Sequence, residues 1–268
     1  MIIKTGARAV TPKAETPPVV VSKTYVEPVT PKPAKPVVLS LDALTVYDQL
    51  EQGTDEWLQA RCGIVTASVV GKFILTGSLG LAANDTLKSL ANTLIAERIT
   101  GHVEPIPTSR AMERGNLDEP YARAIYAEHY APVTEVGFIV NAGNGYKIGY
   151  SPDGLVGDDG LIEIKSRNQR IQLQTILSDS VPAGNTAQIQ CGLLVTGRKW
   201  LDYVSYCGGM PLYVKRVYPD QEWFRVILEA VSAFEVTATN TISKYLDAVA
   251  NRPETERIDH FPEMEFGF

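Results

Sequence analysis

The sequence predicts an α/β fold: one domain over residues 41–268, built on a central mixed β-sheet flanked by helices, behind a flexible Pro-rich tail over 1–40. Three observations lead there. Apolar residues recur at helical spacing before the middle of the chain, as at Leu87, Leu90, Ala91, Leu94 and Ile95, and again over about 221–250. Between them the period changes to short β-branched or aromatic runs at 133–140, 146–151 and 161–166, separated by Asn-Ala-Gly-Asn-Gly and Gly-Asp-Asp-Gly turns. With 268 residues, 44% of them hydrophobic, the chain also has material for one sizeable core.

The elements follow in order. Residues 1–38 hold seven of the 17 prolines, repeat Thr-Pro-Lys and show no periodicity, which predicts an extended, solvated tail; a docking arm for a partner protein or DNA is the other reading. Thr54, Asp55 and Glu56 ahead of Trp57-Leu58 mark a helix start with acids in its first turn, and Gly63 marks the stop. Thr66 offers an N-cap to a second helix, and Asp85–Thr100 forms a third, closed by Gly101. In RGNLDEPYARAIYAEHY (114–130), Asp118 is placed to cap, Pro120 suits a first turn, and Tyr121, Ala122, Ile125 and Tyr126 form a helical stripe. After the three strands, helices return at 169–178 and 187–195. Strand-like runs at 199–206 and 212–217 precede the last long helix.

Composition narrows the function classes. No apolar run approaches the roughly 18 residues of a membrane span, and no secretory h-region is present, which predicts a soluble protein of the cytoplasm. Cys62, Cys191 and Cys207 are scattered and free of CxxC spacing, so neither a disulfide framework nor a zinc or iron–sulfur site is expected. His102, His129 and His260 fit no HxxH or HExxH pattern, so carboxylate oxygens would have to hold any metal, which suits Mg²⁺ or Mn²⁺. The net charge of −6 is uneven, because six Lys or Arg against two Glu leave +4 in the first 40 residues and −10 in the remainder. Bulk charge therefore predicts no polyanion, yet divalent cations over a carboxylate cluster invert the sign locally.

The stretch SPDGLVGDDGLIEIKS (151–166) concentrates the chemistry. Residues two apart on a strand share a face, so Glu163 and Lys165 point together while Ile162 and Ile164 point into the core. An ordinary half-buried strand with a solvated charged face looks the same. Leu155 and Val156 stand where an EF-hand needs oxygen ligands, and neither a GxxxxGK[ST] loop nor a GxSxG elbow occurs. The chemistry that Asp153, Glu163 and Lys165 would serve is phosphodiester hydrolysis, which needs an activated water and cations beside the oxygens where charge develops. The two carboxylates can hold one or two Mg²⁺, the Ile164 main-chain carbonyl offers a further hard oxygen, and Lys165 can orient or help deprotonate the water. Asp158 and Asp159 read as turn residues only.

Five stretches in collinear order extend the pattern: EQGTDEWLQARCGIVTAS (51–68), RGNLDEPYAR (114–123), SPDGL (151–155), LIEIK (161–165), and AQIQ (187–190) followed by VTGRKW. On these the chain resembles the phage lambda exonuclease and YqaJ-type viral recombinase family, a branch of the PD-(D/E)xK nuclease superfamily, over most of residues 51–230. The resemblance implies a restriction-endonuclease-like core and a metal-dependent 5′-to-3′ exodeoxyribonuclease that acts on linear duplex DNA. Its product would be a 3′ single-stranded overhang for single-strand-annealing recombination.

Residue by residue, the resemblance implies that Asp153, Glu163 and the Ile164 carbonyl bind Mg²⁺, with Mn²⁺ as a substitute, and that Lys165 stands beside the attacking water. Glu119 would serve a second metal from its helix, although an acid in a helix's first turn is also unremarkable. Gln188 would contact the water or the scissile strand; Gln190 is less suited, since residues two apart on a helix diverge by about 200°. Arg61 and Ser68 match positions that hold the terminal 5′-phosphate, through a guanidinium fork and the free amides of the helix opened by Thr66. Trp57 is expected to pack in the core near that pocket rather than wedge between bases. The resemblance further implies a ring-shaped homotrimer on double-stranded DNA, a single-strand annealing protein as partner, and a bacterial host cytoplasm. The alternatives are a RecB-like or Cas4-like nuclease sharing Asp153, Glu163, Lys165 and Gln188, and a non-catalytic DNA-binding protein of the same fold. The lack of a cysteine cluster counts against the Cas4-like form.

Overall fold

Leu39 is the first buried residue of a computed structural model that describes residues 36–104 and 109–258. The expected tail lies outside the described residues as far as position 35, while Val37 and Leu39 already pack on the core. A 3₁₀ turn at Leu41–Ala43 leads into strand β1 (Leu44–Tyr47) and helix α1 (Asp55–Arg61). The Thr54 hydroxyl accepts the Trp57 amide to start α1, and Gly63 ends it at φ 65°, where an added Cβ would also collide with Arg98. Strand β2 (Val65–Thr66), the one-turn helix α2 (Ala67–Val70), and the small hairpin of β3 (Ile74–Leu75) and β4 (Gly80–Leu81) come next. Helices α3 (Asp85–Thr100) and α4 (Arg110–His129) precede β5 (Phe138–Asn141), β6 (Ile148–Tyr150), β7 (Gly154–Val156) and β8 (Gly160–Ser166). The remaining elements are α5 (Gln169–Ser178), α6 (Ala183–Thr196), β9 (Trp200–Tyr206), β10 (Tyr213–Val217) and α7 (Gln221–Val249).

The strands form two mixed four-stranded sheets. The first has the order β1-β5-β6-β2 and is antiparallel except at β6–β2; the second runs β10-β9-β8-β7 and is antiparallel except at β8–β9. The parallel β8–β9 pair is joined through α5 and α6, as a crossover requires. Ile162 and Ile164 pack with Ala122 and Tyr126 of α4, whereas Leu161 and Tyr203 pack with Ile189 and Leu193 of α6. Neighbouring strand residues face opposite sides, so α4 and α6 cover the two faces of this sheet. Along α7, the buried stripe of Trp223, Phe224, Ile227, Val231 and Phe234 seals the larger core, each side chain contributing about 1.5–3 kcal/mol. The mixed α/β architecture with flanking helices matches the sequence prediction. Among the described residues, no helix is long and apolar enough to cross a membrane.

Four local expectations change. Helix α4 begins at Ser109, whose hydroxyl accepts the Met112 amide, so Asp118 caps nothing and instead accepts the Ser166 hydroxyl at 2.6 Å. Pro120 lies inside that helix, where the burial of Ala122 and Tyr126 against β8 outweighs the lost backbone bond. Thr66 does precede α2, but its hydroxyl lies 3.1 Å from Ser68 Oγ and bonds no helix amide. The strand expected at 133–140 shrinks to β5, with a lone bridge between Thr134 and Leu155 upstream.

One buried charge ties α4 to the second sheet. Asp202 of β9 accepts the Tyr126 hydroxyl at 2.7 Å and a two-pronged pair from Arg216 of β10 at 2.8 Å each, with the guanidinium 3.6 Å over the Trp200 ring. Burial, then Asp202 itself, raises the Tyr126 phenol pKa, so the hydroxyl stays a donor. Arg216→Ala leaves that carboxylate half-satisfied and is expected to cost about 2–3 kcal/mol, less than a fully buried pair because the arginine is 44% exposed. Urea unfolding reads this as a lower midpoint at unchanged slope. A midpoint equal to wild type would mean that water replaces the guanidinium.

Candidate active site

Strand β8 presents Glu163 and Lys165 on the α6 side of its sheet, and the link from β6 to β7 sets Asp153 beside them. Asp153 Oδ2 accepts the Ile164 amide at 2.5 Å, which pins the carboxylate to β8. A strand residue's N–H and C=O leave by the same edge, so the Ile164 carbonyl also faces Asp153, past the last β7–β8 pair at Gly154 and Ile162. Glu163 is 1% exposed yet fully bonded. Its Oε2 accepts the Tyr150 hydroxyl at 2.9 Å, and its Oε1 accepts both Lys165 Nζ at 2.5 Å and the Gln188 side-chain amide. Strands β6 and β8 and helix α6 therefore meet on one carboxylate. Gly192, one turn beyond Gln188, allows this approach, because a Cβ there would sit 2.8 Å from the Tyr150 ring. Gln190 turns away to bond the Tyr218 carbonyl and the Asp220 amide, both at 2.9 Å, as helical geometry required.

Glu119 comes from the middle of α4, so it is not the first-turn acid that its sequence position suggested. It is bonded by Arg123, one turn on, whose guanidinium also donates to the Asp153 main-chain carbonyl at 2.9 Å and pairs with Glu135 at 2.6 Å. Sequence reasoning missed Arg123. The available signal was its i,i+4 spacing from Glu119 within the quoted motif.

Crowded carboxylates set the electrostatics. Burial, then the charge of Glu163, pushes the Asp153 carboxyl well above its ordinary 3.8, against the pull of Lys165 and the Ile164 amide. Burial likewise raises Glu119, opposed by Arg123 and reinforced by Glu163. For Lys165 burial favours the neutral amine, but Glu163 and Asp153 outweigh it and hold the pKa above 10.5. Lys165 is therefore an ammonium serving as internal counter-charge. Among the described residues, no three His, Cys, Asp or Glu side chains form a ready ligand set, while Lys165 rests on Glu163 and Arg123 on Glu119. The donors nevertheless fit a hard divalent cation: carboxylate and carbonyl oxygens suit Mg²⁺, and mutual repulsion of buried carboxylates is what such an ion relieves.

A second group lies two residues up the chain. Arg61 donates to Ser151 Oγ at 3.0 Å, and its guanidinium stacks 3.8 Å over the Trp57 ring. The Trp57 indole N–H reaches the same Ser151 Oγ at 3.0 Å and the Gly137 carbonyl at 3.2 Å, so this half-buried ring supports Arg61 as well as packing. Burial lowers the Arg61 pKa to about 10, against the charge of Glu97, and among the described residues no carboxylate forms an ion pair with it. Ser68 is exposed at the start of α2, bonded to Thr66 and not to Arg61. Ser151 was not singled out from the sequence, although it opens the SPDGL motif. The Gln52 side chain fixes the intervening Pro152 carbonyl at 3.2 Å. Asp159 of the hairpin turn pairs with Lys199 at 2.9 Å, and Arg198 holds the Gly157 and Gly160 carbonyls, as a plain turn would have it.

The YqaJ-like viral recombinase domain model matches residues 56–199, a span that contains Arg61, Ser68, Glu119, Asp153, Glu163, Lys165 and Gln188. Among solved structures, the alkaline exonuclease LHK-Exo from Laribacter hongkongensis is 35% identical with a TM-score of 0.66, over 75% of this chain and 100% of that one. LHK-Exo in complex with dAMP gives a TM-score of 0.64 at the same identity and coverage. A phage-related exonuclease from Haemophilus somnus 129PT is more distant, at 16% identity and a TM-score of 0.49, over 68% of this chain and 96% of that one. Comparison with curated proteins gave no match. The fold is the PD-(D/E)xK-like one expected from the motifs, and the chain belongs to the YqaJ-like viral recombinase domain family.

Proposed function

We propose that this chain is a Mg²⁺-dependent 5′-to-3′ exodeoxyribonuclease, with Mn²⁺ as a substitute metal, that degrades linear duplex DNA from 5′-phosphorylated ends and leaves 3′ overhangs. The observation that carries this reading is the convergence of Asp153, Glu163, Lys165 and Gln188 on one carboxylate centre, with the guanidinium of Arg61 bonded two residues away at Ser151. LHK-Exo, matched over its whole length at 35% identity, is an exonuclease.

Asp153, Glu163 and the Ile164 carbonyl would hold the first cation, and Glu119 would serve a second. A bound divalent ion supplies charge neutralisation at the phosphate oxygens and a more acidic water. Lys165, 2.5 Å from Glu163, stands where it can orient the water or help deprotonate it and offset negative charge. Gln188, anchored on α6, presents its amide to the same region. Arg61 has its charge free for an anion, and its planar fork suits two phosphate oxygens, with Ser151 beside it and Ser68 exposed nearby in sequence. Family resemblance supports a homotrimeric ring around the duplex, a single-strand annealing partner and action in the host cytoplasm.

The test is digestion in Mg²⁺ of linear duplexes bearing a 5′-phosphate or a 5′-hydroxyl, alongside a closed circle. Faster degradation of the phosphorylated than of the hydroxyl-ended linear form, with the circle left intact, is expected, and digestion of the circle would sink end recognition. Absence of metal-dependent cleavage would favour the DNA-binding alternative. Arg61→Ala is expected to lower cleavage of the phosphorylated end about 10–100-fold, the loss of a charge-assisted pair, while leaving the hydroxyl end nearly unchanged. Equal losses on both ends would mean that Arg61 does not read the phosphate.

A further inference from the structure

Arg123 occupies the seam between α4 and the chain entering β7. Its Nε donates to the Asp153 main-chain carbonyl at 2.9 Å, one terminal nitrogen bonds the Glu119 carboxylate, and the other pairs with Glu135 at 2.6 Å. The Arg123 side chain is 14% exposed, whereas Glu135 is 69% exposed, so the inner contacts are the sheltered ones. Asp153 is thus held from two directions, its carboxylate by the Ile164 amide of β8 and its carbonyl by Arg123 of α4.

We infer that Arg123 is a positioning residue, which sets the separation between Glu119 and Asp153 and so makes a cation site shared by two independent elements. This rests on the nuclease reading above. Glu119 belongs to a helix and Asp153 to a strand link, and among the described residues the hydrogen-bond partner they share is this guanidinium. The planar fork, with five donors in fixed directions, spans a carboxylate, a carbonyl and a second carboxylate at once; an ammonium is a point charge and cannot reproduce that spread.

A charge-only role makes the opposite forecast. A positive group beside a cation site repels the incoming ion, so deleting it should tighten metal binding if neutralisation were all that Arg123 did. If it positions the ligands, deletion should weaken binding by about 10–100-fold, the usual consequence of losing an outer partner of a metal ligand.

The experiment titrates Mn²⁺ into the full-length protein by calorimetry without DNA, and separately measures the Mg²⁺ concentration that half-saturates cleavage. Arg123→Ala is expected to weaken Mn²⁺ binding about 10–100-fold and to raise the Mg²⁺ requirement in parallel. Arg123→Lys should stay impaired, and Glu135→Gln should behave as wild type, because it spares the contacts to Glu119 and Asp153. Tighter Mn²⁺ binding in Arg123→Ala, or full recovery in Arg123→Lys, would overturn the inference. Circular dichroism and a melting curve check folding; if the alanine variant does not fold, Arg123→Lys and Arg123→Gln carry the same comparison. Wild-type protein that binds Mn²⁺ without cleaving DNA would refute the nuclease reading and leave the Mn²⁺ titrations to decide on Arg123. Wild-type protein that binds no Mn²⁺ would overturn both.

Discussion

Lys165→Ala is expected to reduce cleavage of a 5′-phosphorylated duplex by about 10²–10⁴-fold, the span typical of a residue that handles the proton or orients the nucleophile. The fold should survive. Glu163 keeps the Tyr150 hydroxyl on Oε2 and the Gln188 amide on Oε1, so the buried carboxylate does not lose every donor. What the site loses is its counter-charge, the ammonium at 2.5 Å from Glu163, and the remaining carboxylates become more attractive to a cation. Slow turnover combined with equal or tighter Mn²⁺ binding is therefore the signature expected, and misfolding would not produce it. Wild-type rates in this variant at saturating Mg²⁺ would remove Lys165 from the chemistry.

Asp153→Asn should abolish cleavage while making the metal-free protein more stable. The sign follows from the proton. A carboxyl whose pKa is raised well above 3.8 by burial and by Glu163 binds its proton more tightly in the folded chain than in the unfolded one. Its favourable contribution is complete below the unfolded pKa and is lost as pH rises through the folded value, so at neutral pH, above the unfolded pKa, the buried carboxyl opposes folding. Asparagine keeps an oxygen for the Ile164 amide and removes the charge. A gain of about 1–2 kcal/mol is expected at pH 7, shrinking as the pH falls toward the unfolded value. Adding Mg²⁺ should raise the melting temperature of wild type more than that of the variant, since only the intact site gains by binding. A metal-free variant that melts below wild type at pH 7 would contradict this account.

Helices α3 and α5 have the bounds read from the sequence; the structure adds a capping Asn ahead of each, Asn84 and Asn168. The long helix α7 was legible almost as well, from its apolar stripe. The start of α4 was not, since Asp118 and Pro120 mimic a helix beginning and only tertiary packing of Ala122 and Tyr126 carries the helix past them. Strands β1 to β4 have two to four residues each, too few for any period to show. In the site, the motif spacing pointed to Asp153, Glu163, Lys165 and Gln188, which the fold indeed brings together. Tyr150, Ser151 and Arg123 escaped notice because their importance lies in partners 13, 90 and 30 residues away. Local pattern holds no trace of such contacts, and marks only the i,i+4 spacing of Arg123 from Glu119. Ser68 shows the converse, a motif position that has the right neighbours in sequence and no bond to Arg61 in space.

The segment Ser151-Pro152-Asp153 joins the arginine pocket to the carboxylate centre, with Arg61 and Trp57 on its first residue and Ile164 and Arg123 on its last. Two residues extend at most about 7 Å, and the proline ring fixes φ at the middle of the step, so its length has little room to vary. That distance is comparable with the step between neighbouring phosphates of one DNA strand. On the proposed reading, a strand end seated at Arg61 would therefore offer the next linkage, and not a later one, to Asp153. On that reading the backbone itself would be the ruler, with a gradation of a single nucleotide.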